Sequence, residues 1–200
     1  MGGAHQAQVV HRPQLRRGRD LRRTESAGAF LSRTADLISI TIGGNDAGFA
    51  STVLGCQVGT DAACAAKVNS ARTDITSTLP AKLDATYAAI KRKAPDARVI
   101  VLGYPTLFDT SSASCGIAGM SLPKRRSLNE GAQVLNEVIA ARAGAAGFTF
   151  SDVRDEFAGH GICSPSPYLH GLTVTPPQNS FHPNLSGYTN GYLPALVSAL

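Results

Sequence analysis

The chain has 200 residues, 43% of them hydrophobic, which suits one domain with a sizeable core. No apolar run approaches the ~20 residues that a membrane helix needs, so a helical membrane span is excluded. The net charge of +5 sits wholly in residues 1–34, where seven arginines face only Asp20 and Glu25, and the remainder of the chain is neutral.

An Arg-rich arm of this kind can bind an anionic partner. No aromatic residue precedes Phe30, however, and no recognisable nucleic-acid fold accompanies the arm, so nucleic acid is not expected as a partner. Residues 1–34 contain no Lys and no sustained period, although Leu21 to Leu31 suits a short helix. The segment reads as disordered or loosely attached, and as separate from a domain at 35–200. It has charge but no apolar h-region, so no signal peptide is expected in this chain.

Residues 36–42, with the apolar run Leu37-Ile38-Ser39-Ile40, predict a short buried strand. Phe49 to Leu54 suits a helical turn, and Asp61 to Asn69 a short helix with an acidic start. Ile75, Leu79, Leu83, Tyr87 and Ile90 recur at helical spacing, which predicts a helix over about Asp74 to Lys93, with Pro80 as a kink or a late N-terminus. Lys91-Arg92-Lys93 then falls at its C-terminal end, where cations favour the helix dipole.

The continuous apolar run Arg98 to Pro105 predicts a second strand, of the kind covered on both faces in a parallel sheet. Residues 106–121 read as a long loop. A helix follows from about Pro123, with Leu128, Ala132, Leu135, Ile139 and Arg142 along one side, and Phe148 to Val153 is a third strand. The proline-rich, aperiodic stretch from Gly159 to Ser180 reads as a functional loop. The last helix begins near Pro183, with Leu185, Tyr188, Tyr192 and Leu196 on its apolar face. Alternating strands and helices predict a three-layer α/β/α sandwich with a parallel sheet, whose strand C-termini share one edge.

Two stretches fall at that edge. Thr41-Ile42-Gly43-Gly44-Asn45-Asp46-Ala47-Gly48-Phe49 follows the first strand, and Asn179-Ser180-Phe181-His182-Pro183-Asn184 precedes the last helix. Glycines let the first backbone turn sharply and approach a ligand, and an Asn amide there can donate to an oxyanion. Taken alone, the same residues also suit a plain turn in which Asn45 and Asp46 satisfy local backbone groups.

Together the two stretches resemble the Gly-Asn-Asp and His-Pro blocks of the SGNH hydrolases (GDSL esterases and lipases), in wording especially the secreted actinobacterial branch. The resemblance covers roughly residues 35–200. It implies an SGNH-hydrolase or flavodoxin-like sandwich and a serine-type carboxylic ester hydrolase acting through an acyl-enzyme on esters of fatty or other short acyl groups. It implies no metal or organic cofactor, a small-molecule or lipid ester as substrate, a monomer, and an extracellular location.

Carried over residue by residue, His182 becomes the general base, Asn45 an oxyanion donor, and Gly43, Gly44 and Asp46 the supports of the motif. The family often orients its His with an Asp three residues earlier. Position 179 is Asn here, so the main-chain carbonyl of Asn179 becomes the expected orienting group, as in secreted relatives. Asp152 and Asp155 are alternatives.

The nucleophile does not carry over. The family's Gly-Asp-Ser block is absent. Ser26 and Ser32 lack a preceding strand, Ser39 sits inside one, and Gly28 is a weak substitute for the oxyanion glycine. This reads as a hydrolase domain whose first strand is missing, through truncation or a frame shift. The alternative is a catalytically inert α/β domain whose cleft binds a ligand or does nothing.

The four cysteines fit two disulfides. Cys56 with Cys64 closes a small loop and Cys115 with Cys163 ties two long ones, a pairing that also resembles secreted family members. The rival is a zinc site of Cys115, Cys163, His160 and His170, against which the absence of the usual ligand spacings counts.

Overall fold

The computed structural model describes residues 6–11, 31–173 and 179–200. The reading of residues 1–5 and 12–30, including the helix expected from Leu21, therefore lies outside the described residues, as do Ser26 and Gly28. The strands are β1 (Gln6–His11), β2 (Ala35–Thr41), β3 (Arg98–Leu102) and β4 (Thr149–Ser151). The helices are α1 (Phe49–Val58), α2 (Asp61–Ser77), α3 (Leu79–Lys93), α4 (Leu122–Ala145) and, after a π-helical segment at Gly187–Tyr192, α5 (Leu193–Ser198).

The sheet runs β1-β2-β3-β4. β2 pairs parallel with β3, Ile38 opposite Val99 and Ile40 opposite Val101, and β3 pairs parallel with β4. This is the expected parallel sheet. β1 adds an antiparallel neighbour to β2. Its sequence, Gln-Ala-Gln-Val-Val-His, contains no Gly-Asp-Ser block.

The apolar run of β3 feeds both faces, as a covered parallel strand requires. Val99 and Val101 join Ile38, Ile40 and the α3 and α4 side chains Leu83, Tyr87 and Ile139 in one core. Ile100 and Leu102 join Phe157, Phe181 and Ala195 of α5 in another. Helices thus lie on both faces of the sheet. α5 is fastened to the strands by Ser151 Oγ donating to Ala195 O at 3.0 Å and by the Arg98 guanidinium donating to Ala199 O and Leu200 O.

Two helix boundaries differ from the sequence reading. Residues 74–77 belong to α2, which runs on from its N-cap Thr60, and α3 begins only at Leu79. Pro80 sits in the first turn of α3, where a missing N–H costs nothing, so it marks a helix start and not a kink. Arg142 leaves the apolar stripe of α4 and forms a two-pronged ion pair with Asp84 of α3, at 2.7 and 2.6 Å. Ala143 takes the buried place instead.

Cys56 is joined to Cys64 and Cys115 to Cys163. The second bridge consumes both thiols that the zinc reading required. His160 stacks on Tyr168 with its Nδ1 2.7 Å from Ser166 O, and no metal-binding group of His, Cys, Asp and Glu occurs among the described residues.

Candidate active site

β2 delivers the chain to Thr41, and the backbone then turns at Gly43, whose φ of +108° lies where side chains are rarely tolerated. The turn is closed by Ala47 N donating to Gly43 O (2.9 Å), Gly48 N to Asn45 O (3.1 Å) and Phe49 N to Gly44 O (3.1 Å). From there the chain enters α1. Gly44 donates its own N–H to the Tyr104 hydroxyl at 2.9 Å. Asp46 accepts from Lys82 of α3 at 3.2 Å and so braces the loop. The Asn45 side chain is exposed and makes no hydrogen bond among the described residues, which leaves its amide free for a ligand.

The opposite wall carries His182. Its loop is stitched to the segment before it: His170 N donates to His182 O (2.8 Å), Asn184 N to Tyr168 O (2.9 Å), and the Asn184 side chain to Pro167 O (2.7 Å). Gly187 N returns a bond to Asn184 Oδ1 at 3.0 Å, which ties the loop to the π-helical segment. Phe181 adopts a positive φ of 63° and buries its ring edge-on to Phe49, centroids 6.3 Å apart. Burying Phe181 by this backbone turn leaves its neighbour His182 exposed.

The imidazole Nδ1 lies 3.0 Å from the main-chain oxygen of Ser180. A carbonyl can only accept, so Nδ1 carries a proton, and in the neutral ring Nε2 then presents its lone pair. This corrects the expectation for Asn179. The Asn179 carbonyl instead accepts from the backbone N–H of His182 at 3.0 Å, and the ring folds back onto the carbonyl one residue nearer.

Asp152 is also excluded as the partner. Arg154 holds both its oxygens at 2.5–3.0 Å, which keeps its carboxyl below the usual range. Asp155 does not line the cleft.

Asn45 and His182 border one cleft of about 340 Å³ at the C-terminal edge of the sheet. Its body is apolar, lined by Phe49, Leu102, Leu107, Leu169 and Phe181 together with Leu193 and Leu196 of α5. Tyr104 also lines it. Burial pushes the Tyr104 hydroxyl up to about 12, so it stays neutral. Gly43 and Gly44 form part of the same wall.

Among the described serines, Ser39 and Ser180 reach the cleft. Ser39 is buried within β2, and the Ser180 hydroxyl is engaged by Thr173 at 3.0–3.2 Å. Ser32 lies outside the cleft with its hydroxyl on Thr34. No described serine hydroxyl is hydrogen-bonded to His182. Sequence reasoning passed over the Ser180 carbonyl and Tyr104. The aromatic residue two positions beyond the buried β3 run was the available signal for Tyr104.

Comparison with known proteins gives a consistent picture. The family model for GDSL-like lipases and acylhydrolases matches residues 2–189. A lipase of Streptomyces rimosus is 49% identical over 164 residues, 82% of this chain and 60% of that protein, so the chain spans about three-fifths of this relative's length. The crystal structure of an extracellular lipase from Streptomyces rimosus superposes with a TM-score of 0.80 at 47% identity, over 85% of this chain and 71% of the other. That of a phospholipase A1 from Streptomyces albidoflavus NA297 does so at 0.81 and 40% identity, over 87% and 73%.

Proposed function

Since the chain belongs to the GDSL-like lipase and acylhydrolase family, we propose that it is a serine-type carboxylic ester hydrolase. One observation carries the reading: Asn45 and His182, far apart in sequence, border the same apolar cleft. His182 Nε2 takes the proton of the attacking serine. The Ser180 carbonyl, bonded to Nδ1–H, steadies the imidazolium that results. The Asn45 amide donates to the oxyanion of the tetrahedral intermediate. His182 then returns its proton to the departing alcohol, and the same groups activate water against the acyl-enzyme.

The cleft's apolar body suits a hydrocarbon chain. Esters of fatty or other short acyl groups are therefore the substrate class, in keeping with relatives called lipase and phospholipase A1. The reading takes the protein as a monomer, and two disulfides and the extracellular relative support a secreted location.

A second reading, a catalytically inert domain whose cleft binds an apolar ligand, is favoured by one observation: no described serine is paired with His182. Labelling with a fluorophosphonate, which phosphonylates an activated serine and expels fluoride, separates the two. The hydrolase reading expects one labelled serine, mapped by peptide mass spectrometry, with the label lost in His182→Ala. A folded protein that takes no label and hydrolyses no ester would establish the inert reading.

A further inference from the structure

We propose that Tyr104 is a positioning residue for the oxyanion wall: its hydroxyl holds the Gly44 backbone and thereby aims the Asn45 amide. The proposal rests on the reading of Asn45 as oxyanion donor. Asn45 has no side-chain partner among the described residues, so the direction of its amide depends on how firmly its backbone is held. Within the turn, Gly44 O is bound by Phe49 N. Gly44 N–H needs an acceptor from elsewhere, and Tyr104, sixty residues away, supplies it at 2.9 Å.

The contact is built from both sides. A Cβ on Gly44 would stand 2.8 Å from the Tyr104 hydroxyl oxygen and 3.0–3.2 Å from its ring carbons, so the phenol packs directly on the glycine. Tyr104 itself is clamped by Asn136 of α4, which is 3% exposed. The Asn136 side chain accepts from Tyr104 N at 2.8 Å and donates to Tyr104 O at 2.7 Å. A rigid line thus runs from the core of α4 through Tyr104 and Gly44 to Asn45. The other outside brace on this loop is the Lys82–Asp46 pair, whose lysine is 56% exposed, and exposed pairs of this kind hold a loop weakly. The phenol stays protonated to about pH 12, so the acceptor keeps one form through the working range.

Tyr104→Phe removes the hydroxyl and keeps the ring. Two readouts decide the proposal. Amide hydrogen exchange at Gly44 should accelerate about tenfold or more, with the Asn45 side-chain amide resonances shifted, while Asn45→Ala leaves Gly44 exchange unaltered. In ester hydrolysis, kcat should fall about tenfold with KM little changed, and this loss should disappear when Tyr104→Phe is placed in Asn45→Ala. Unchanged Gly44 exchange would overturn the anchoring. A full tenfold loss persisting without Asn45 would overturn the claim that Tyr104 acts through it. Gly44→Ala, which pushes the loop off an intact Tyr104, should reproduce the kcat loss; wild-type kcat in that variant also contradicts the proposal. If the wild-type chain hydrolyses no ester, the hydrolase reading falls, while the exchange rates still decide the anchoring.

Discussion

On one wall of the cleft, Asn45 ends a buried strand and sits in a turn closed by bonds between residues 43 and 49. On the other, His182 has no strand of its own, and the bonds that hold it and its loop come from residues 167–173, from Asn179 and Ser180, and from the π-helical segment. The first wall is local in sequence and needs one outside hydroxyl to complete it. The second is assembled from residues as far as 17 positions apart, and its one strained residue, Phe181, is secured by burial of its ring. The proposed donor, aimed by a glycine turn, and the proposed base, held by a clamped loop, therefore fail in different ways.

Within the glycine-turn wall, Asn45→Ala gives the largest change. Loss of an oxyanion donor should lower kcat by about 10²–10³ with little change in melting temperature, as steady-state ester kinetics and a thermal scan would show. Asn184→Ala attacks the other wall. It removes the bonds to Pro167 O and from Gly187 N, and should cost about 1–3 kcal/mol in urea unfolding together with a measurable fall in kcat.

A pH titration of stability probes the anchor between the walls. Burial raises the Tyr104 phenol from 10.0 in the unfolded chain to about 12 in the fold. Its contribution is therefore intact below pH 10 and is lost as pH rises through about 12. Tyr104→Phe should flatten part of that decline, the remainder belonging to the buried Tyr87 and the half-buried Tyr192, which are also raised. The smallest change is expected for Asp46→Ala, which breaks an exposed ion pair and should shift stability by no more than about 1 kcal/mol.

What could be read in advance follows the same division. β2, β3 and the glycine turn announced themselves because an uninterrupted apolar run and a Gly-Gly-Asn-Asp sequence carry their structural meaning within a few residues. The His-Pro block could be recognised as a word, but the contacts that orient its imidazole could not. Whether Asn179 or Ser180 supplies the carbonyl depends on the turn made at Phe181, and that turn depends on Phe49 being there to cover the ring. Asn136 gave no signal, because its role appears only when α4 is laid against the end of β3. β1 was equally silent: six residues at the flank of a sheet draw on backbone pairing, which leaves little periodic trace. Pro80 was seen, yet its meaning as a helix start became clear only once α2 was found to extend to Ser77.

The account stands or falls on His182. Hydrolysis of short- and long-chain p-nitrophenyl esters should be compared between the wild-type chain and a folded His182→Ala variant. The account predicts hydrolysis by the wild type and a fall of about 10²–10⁴ in kcat on losing the base, with the melting temperature nearly unchanged. Equal rates in the two proteins, or none in either, would contradict it.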